Sequence, residues 1–188
     1  MMNPLRQLIL LGALAASSVH AKDDSILTAA RQKLAGLNRM RSGLASTLKF
    51  RKKQDIDEGV FKQVCVPVGK EFKSWSQAQG YVARQLSSKN RNPDHALREN
   101  ERSVYAEFES NKKLDEKVVS VVISGRPGRV LYRRIPVEES CLHCHGAQAD
   151  RPEFIVNKYP QDKAFDFRVG DLRGLYSVFL PSAPGPQR

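Results

Sequence analysis

The fold is decided by Lys117-Val-Val-Ser-Val-Val-Ile123, the break Gly125-Arg126-Pro127-Gly128, and Val130-Leu-Tyr-Arg-Arg-Ile-Pro-Val137. Two runs of strand length, rich in β-branched and aromatic residues, flank a Gly/Pro break, which predicts an antiparallel hairpin. Leu175–Leu180 supplies a further strand after a turn at Gly174. Upstream the apolar period changes. Leu27, Ala30, Leu34, Leu37, Met40, Leu44 and Leu48 recur every three to four residues, predicting a long helix from Ser25 to Lys49, capped by Asp24 or Ser25. Phe61, Val64, Cys65, Val68 and Phe72 predict a second helix, which Pro67 should kink or stop beside Cys65. A third is expected from His95 to Ser110, with Leu97, Val104, Tyr105 and Phe108 on one side. Helices followed by antiparallel strands define an α+β class.

The chain has 188 residues and 40% hydrophobic content, enough for one domain with a core. Arg6 precedes an apolar run from Leu8 to Ala16, and small residues follow at Val19 and Ala21. This reads as a signal peptide over residues 1–21, cleaved before Lys22, because the run is shorter than the ~20 residues that span a bilayer. The first cysteine is Cys65, so none lies near the cleavage point to carry a lipid. The expected organisation is a single domain over 22–180, a frayed tail over 181–188, a periplasmic location and no integral membrane segment after cleavage. The net charge of +11 favours acidic partners, and a basic surface fits an acidic redox or signalling protein. Export argues against nucleic acid, and no nucleic-acid motif is present. Most of the Lys and Arg residues read as solvated surface, with some arginines free to neutralise carboxylates of a bound cofactor.

Residues 141–145 read Cys-Leu-His-Cys-His, the C-x-x-C-H pattern of c-type haem attachment. Thiols separated by two residues can add to the two vinyl groups on one haem edge, and the next residue, histidine, then falls beneath the iron. Cys141 and Cys144 are thus the expected thioether anchors and His145 an axial ligand of one haem c. A local disulfide would leave an odd thiol among three cysteines. A thioredoxin-like pair wants a strand-to-helix setting, whereas this motif runs into Gly146 and polar residues. A structural zinc site wants a second ligand pair, which the sequence lacks.

For the other side of the iron the donors are Cys65, Met40, His95 and His143. His143 lies inside the attachment loop and should be exposed. Met40 sits in the core period of the first helix, and Cys65 on an apolar face reads equally as a small buried hydrophobe. His95, in the polar loop Asn90-Arg91-Asn92-Pro93-Asp94-His95, is a rival.

The chain resembles the Tll-type c-haem domain family, a domain-of-unknown-function family. The resemblance covers most of the sequence after residue 21. It rests on the helical lone cysteine at Cys65; on Arg91-Asn92-Pro93; on Ile135-Pro136-Val137 leading to Cys141-Leu142-His143-Cys144-His145-Gly146; and on Tyr159-Pro160-Gln161-Asp162-Lys163-Ala164 followed by Gly170-Asp171-Leu172-Arg173-Gly174. It implies a PAS-like antiparallel sheet with long N-terminal helices. It also implies Cys/His axial ligation in which Cys65 is the second ligand, which raises Cys65 above Met40 and His95.

Two protein ligands leave no open iron position, so a redox or diatomic-gas sensor is the expectation and a periplasmic electron-transfer cytochrome the rival. No catalytic constellation is evident, and an enzyme is the weakest reading.

Overall fold

The computed structural model describes residues 4–52 and 55–182. In chain order the regular elements are α1 (Pro4–Ser46), α2 (Glu58–Val64), α3 (Val66–Ala78), β1 (Val82–Leu86), α4 (Arg102–Ser110), β2 (Glu116–Ile123), β3 (Arg126–Pro136), α5 (Leu142–His145), α6 (Glu153–Lys158) and β4 (Leu172–Pro181). The strands form one antiparallel sheet in the order β1-β4-β3-β2, giving an α+β architecture with a long N-terminal helix. Among the described residues no helix is long and apolar enough to cross a membrane.

The hairpin forms, with a shifted turn. Ser124 and Gly125 occupy the left-handed region at φ 51° and 75°, so they make the tight connection, and Arg126-Pro127-Gly128 already pairs with β2. Two successive residues at positive φ match the right-handed twist of the flanking strands, and glycine takes the second place without a Cβ penalty.

One sheet face carries Leu131 and Ile135 of β3 with Tyr176, Val178 and Leu180 of β4, and packs on Leu27, Ala30, Leu34 and Leu37 of α1 and Val68 and Phe72 of α3. The helical period expected for α1 is therefore the core stripe, and Met40 packs against it. The opposite face holds Leu86, Leu172 and Leu175 against Val104, Tyr105 and Phe108 of α4. A further cluster lies at the far end of α1, where Ala45 and Leu48 meet Ile56, Val60, Val64, Cys144 and Ile155.

Several boundaries differ from the expectations. Helix α1 starts at Pro4, not Ser25, because the Leu/Ala-rich run and the residues after it contain no proline to stop it. Asp24 and Ser25 therefore lie inside the helix, and Ser25 Oγ donates back to the Lys22 carbonyl instead of capping. The helix ends at Ser46 and tightens into a 3₁₀ turn over Thr47–Phe50. The third helix is shorter than expected: Pro93–His95 and Glu99–Glu101 are separate 3₁₀ turns, and the α-helix begins at Arg102. Strand β1 was not foreseen, since Val82–Leu86 contains Arg84 and Gln85 and lacks an apolar run. Pro181, assigned to the tail, closes β4; residues 183–188 lie outside the described residues.

Candidate functional site

Strand β3 ends at Pro136, and the chain passes through a 3₁₀ turn, Glu139–Cys141, directly into α5. Cys141, Cys144 and His145 thus sit on about one helical turn. Gly146 ends it, since a Cβ there would stand 2.6 Å from the Leu142 carbonyl oxygen. All three cysteines are free. Cys144 is buried beside Val64 and Ile155, and Cys65 packs against the same cluster. Cys141 faces a smaller cluster of Val137, Ala164 and Phe167. Burial pushes the Cys144 thiol up to about 12 and also raises Cys141, so both are protonated thiols.

His145 is held from the 162–167 loop. Its Nδ1 lies 2.7 Å from the Ala164 carbonyl, which can only accept, so Nδ1 carries the proton and Nε2 keeps a lone pair, at which Arg173 Nε points from 3.4 Å. Burial, with Arg173 and Arg91 nearby, keeps the imidazole well below the ordinary histidine value and hence neutral. The Phe167 ring stands edge-on at 6.0 Å, and backbone bonds from Phe167 N to the His145 carbonyl and from Asp166 N to the Gly146 carbonyl fasten the same loop to α5. Arg91 Nη2 lies 3.4 Å from Nδ1, but two donors face each other there, so this is a contact and not a hydrogen bond.

The loop is itself anchored by Asp162. This carboxylate accepts from Arg91 Nε at 3.2 Å and Nη2 at 3.3 Å, from Arg151 Nη1 at 3.3 Å and from Ala164 N at 2.9 Å. Its side chain is fully buried and that of Arg91 is 7% exposed. Arg91 Nη2 also donates to the Cys144 carbonyl at 2.9 Å, joining the motif helix to the same network.

Cys65 caps the end of α2 and the start of α3, where Pro67 falls in the first turn of α3. The expected break beside Cys65 is present, and the thiol sits at a helix junction. His95 ends its own 3₁₀ turn, its backbone carbonyl taken by Ser87 N. Burial, and then the charge of Arg173, lower its value. Met40 belongs to the sheet-facing core. His143, expected to be exposed, is half-buried with Nδ1 donating to the Ser140 carbonyl at 3.1 Å. Among the described residues no group of three or more His, Cys, Asp and Glu side chains is arranged as a closed metal cage.

Arg91, Asp162 and Arg173 carried no assigned role in the sequence reading, although each fell in a stretch quoted for the family resemblance.

An antiparallel sheet that delivers two thiols and an oriented neutral imidazole on one short helix, with a lone cysteine at a helix junction on the same apolar cluster, defines a class of small α+β cofactor-site modules. The chain belongs to the Tll0287-like family, whose sequence profile matches residues 18–181. A solved structure, the crystal structure of the cyanobacterial haem protein Tll0287, is 40% identical, with a TM-score of 0.73 over 84% of this chain and 95% of that one. No curated protein matches the chain.

Proposed function

We propose that this chain is an exported protein carrying one haem c, attached through Cys141 and Cys144, with His145 and Cys65 as axial ligands, and that it acts as a redox or diatomic-gas sensor. The observation that carries the reading is the His145 imidazole, fixed by Ala164 in the tautomer that keeps the lone pair on Nε2, one residue after a pair of free cysteines on the same helical turn. This donor set fits a c-type haem, and the related haem protein Tll0287 supports it. When bound, the haem supplies one-electron and small-ligand chemistry at its iron.

The chain's own residues have distinct tasks. The Cys141 and Cys144 thiols would hold the haem as thioethers, each adding sulfur to one carbon of a vinyl group and the thiol hydrogen to the other, so attachment would need no oxidant. Ala164 holds the ligand ring against rotation, the usual task of a carbonyl behind a metal-bound histidine. The Val60, Val64 and Ile155 cluster keeps water from the Cys144 side.

A sensing role is favoured over simple electron transfer by the position of Cys65. A ligand in mid-helix would be rigid, whereas this one stands between α2 and α3, and its release would let the two helices change their angle. Absorption and EPR spectra of the oxidised protein beside Cys65→Ser, followed by dithionite reduction under CO, test the reading. It predicts that the substitution changes the iron's spin state and that the reduced protein binds CO. Identical oxidised spectra would remove Cys65 as a ligand, and a reduced protein inert to CO would favour electron transfer.

A further inference from the structure

Lys89 Nζ at the edge of the site is held by the Phe165 and Asp166 carbonyls, and the guanidiniums around the site fall into two kinds. Arg91, Arg151 and Arg84 are neutralised, the first two by Asp162 and the third by Glu101. Arg41 and Arg173 are not. Arg41 Nη2 donates to Tyr176 Oη at 2.9 Å, and its buried Nε has no hydrogen-bond partner. Arg173 Nη1 reaches Ser87 Oγ at 3.2 Å and the Lys89 carbonyl at 3.4 Å, its Nε points at His145 Nε2 from 3.4 Å, and its guanidinium lies over the Phe167 ring. Every one of these partners is neutral.

Two guanidiniums held near each other in a half-buried site without a carboxylate repel and lose solvation, an arrangement that is costly unless an anion compensates. Arg173 lies within electrostatic reach of both Arg91 and Arg41. His145 Nε2 has a single lone pair, so it can serve a metal only when Arg173 Nε gives it up; the arginine then needs another acceptor.

We infer that Arg41 from α1 and Arg173 from β4 form the anion-binding end of this site and take the two propionate carboxylates of the haem. This rests on the haem reading and adds to it the residues that recognise the acidic edge of the porphyrin. The pair joins the first helix to the last strand, so the ligand's carboxylates would bridge the two ends of the described fold.

The test uses the full chain with Cys141→Ala and Cys144→Ala, so that affinity is not masked by covalent attachment, titrated with haem and with haem dimethyl ester, which lacks both charges. The parent should bind haem about tenfold or more tightly than the ester, the scale of charge-assisted hydrogen bonds. Arg41→Gln and Arg173→Gln should each shrink that ratio, and Arg173→Lys should keep most of it. Because the readout is a ratio of two ligands on the same protein, general damage to the fold cancels. No preference in the parent, or a preference unchanged in both glutamine variants, overturns the assignment. Failure of both compounds to bind overturns this inference, because carboxylate recognition must act without the thioethers; a parent chain that also lacks covalently retained haem by intact mass overturns the haem reading itself.

Discussion

The imidazole of His145 donates from Nδ1 to the Ala164 carbonyl at 2.7 Å, and the Ala164 amide in turn donates to the buried Asp162 carboxylate at 2.9 Å. Residues 162–164 therefore link an ion-paired carboxylate to the orientation of the ring: Asp162 fixes the peptide, and the peptide fixes the histidine.

Asp162→Ala should be costly. It strands Arg91, 7% exposed, and the Ala164 amide, and removing one member of a buried pair costs about 3 to 5 kcal/mol. Arg31→Ala breaks a pair with Glu116 in which the arginine is 44% exposed, and it should cost under about 1 kcal/mol. Urea unfolding of the two variants beside the parent checks the contrast; equal effects would mean that the Asp162 network does not hold the loop.

Leu34 is fully buried between α1 and the sheet, in the cluster with Leu131 and Val178. Leu34→Ala should cost about 3 kcal/mol, the usual range for a leucine lost from a packed core. Thermal melting followed by far-UV circular dichroism measures it, and a cost below 1 kcal/mol would contradict the packing of α1 on the sheet.

The sequence displayed the fold wherever burial imposed a period. The α1 stripe was readable because it presents apolar residues at one regular spacing to the sheet, and β2 and β3 because both are rich in β-branched and aromatic residues on either side of a Gly/Pro break. Strand β1 was invisible, since it is an edge strand carrying Arg84 and Gln85, and its pairing with β4 comes from backbone bonds that leave no side-chain pattern. The site was legible in its chemistry but not in its supports. Cys141, Cys144 and His145 announce themselves by spacing, whereas Asp162 and Arg173 are separated from them in sequence and act through contacts that only folding creates. The hairpin turn was displaced because Gly125-Arg126-Pro127-Gly128 is rich in turn residues, yet two residues at positive φ suffice.

Cleavage before Lys22 should leave the domain intact. From Lys22 onward the first buried side chain of α1 is Leu27, so cleavage keeps the sheet-facing stripe of Leu27, Ala30, Leu34 and Leu37. N-terminal sequencing of the exported protein should begin at Lys22, and the chain 22–188 should melt at the same temperature as the full chain. An N-terminus at Met1 would contradict export by a cleaved signal.

The most direct test of the central claim is the intact mass of the denatured protein from an exporting host with c-type maturation, beside Cys141→Ala/Cys144→Ala. The account predicts that the parent carries the added mass of one haem that survives denaturation and that the double variant does not. A parent with the mass of the bare polypeptide, or a haem that washes out on unfolding, would contradict attachment through Cys141 and Cys144.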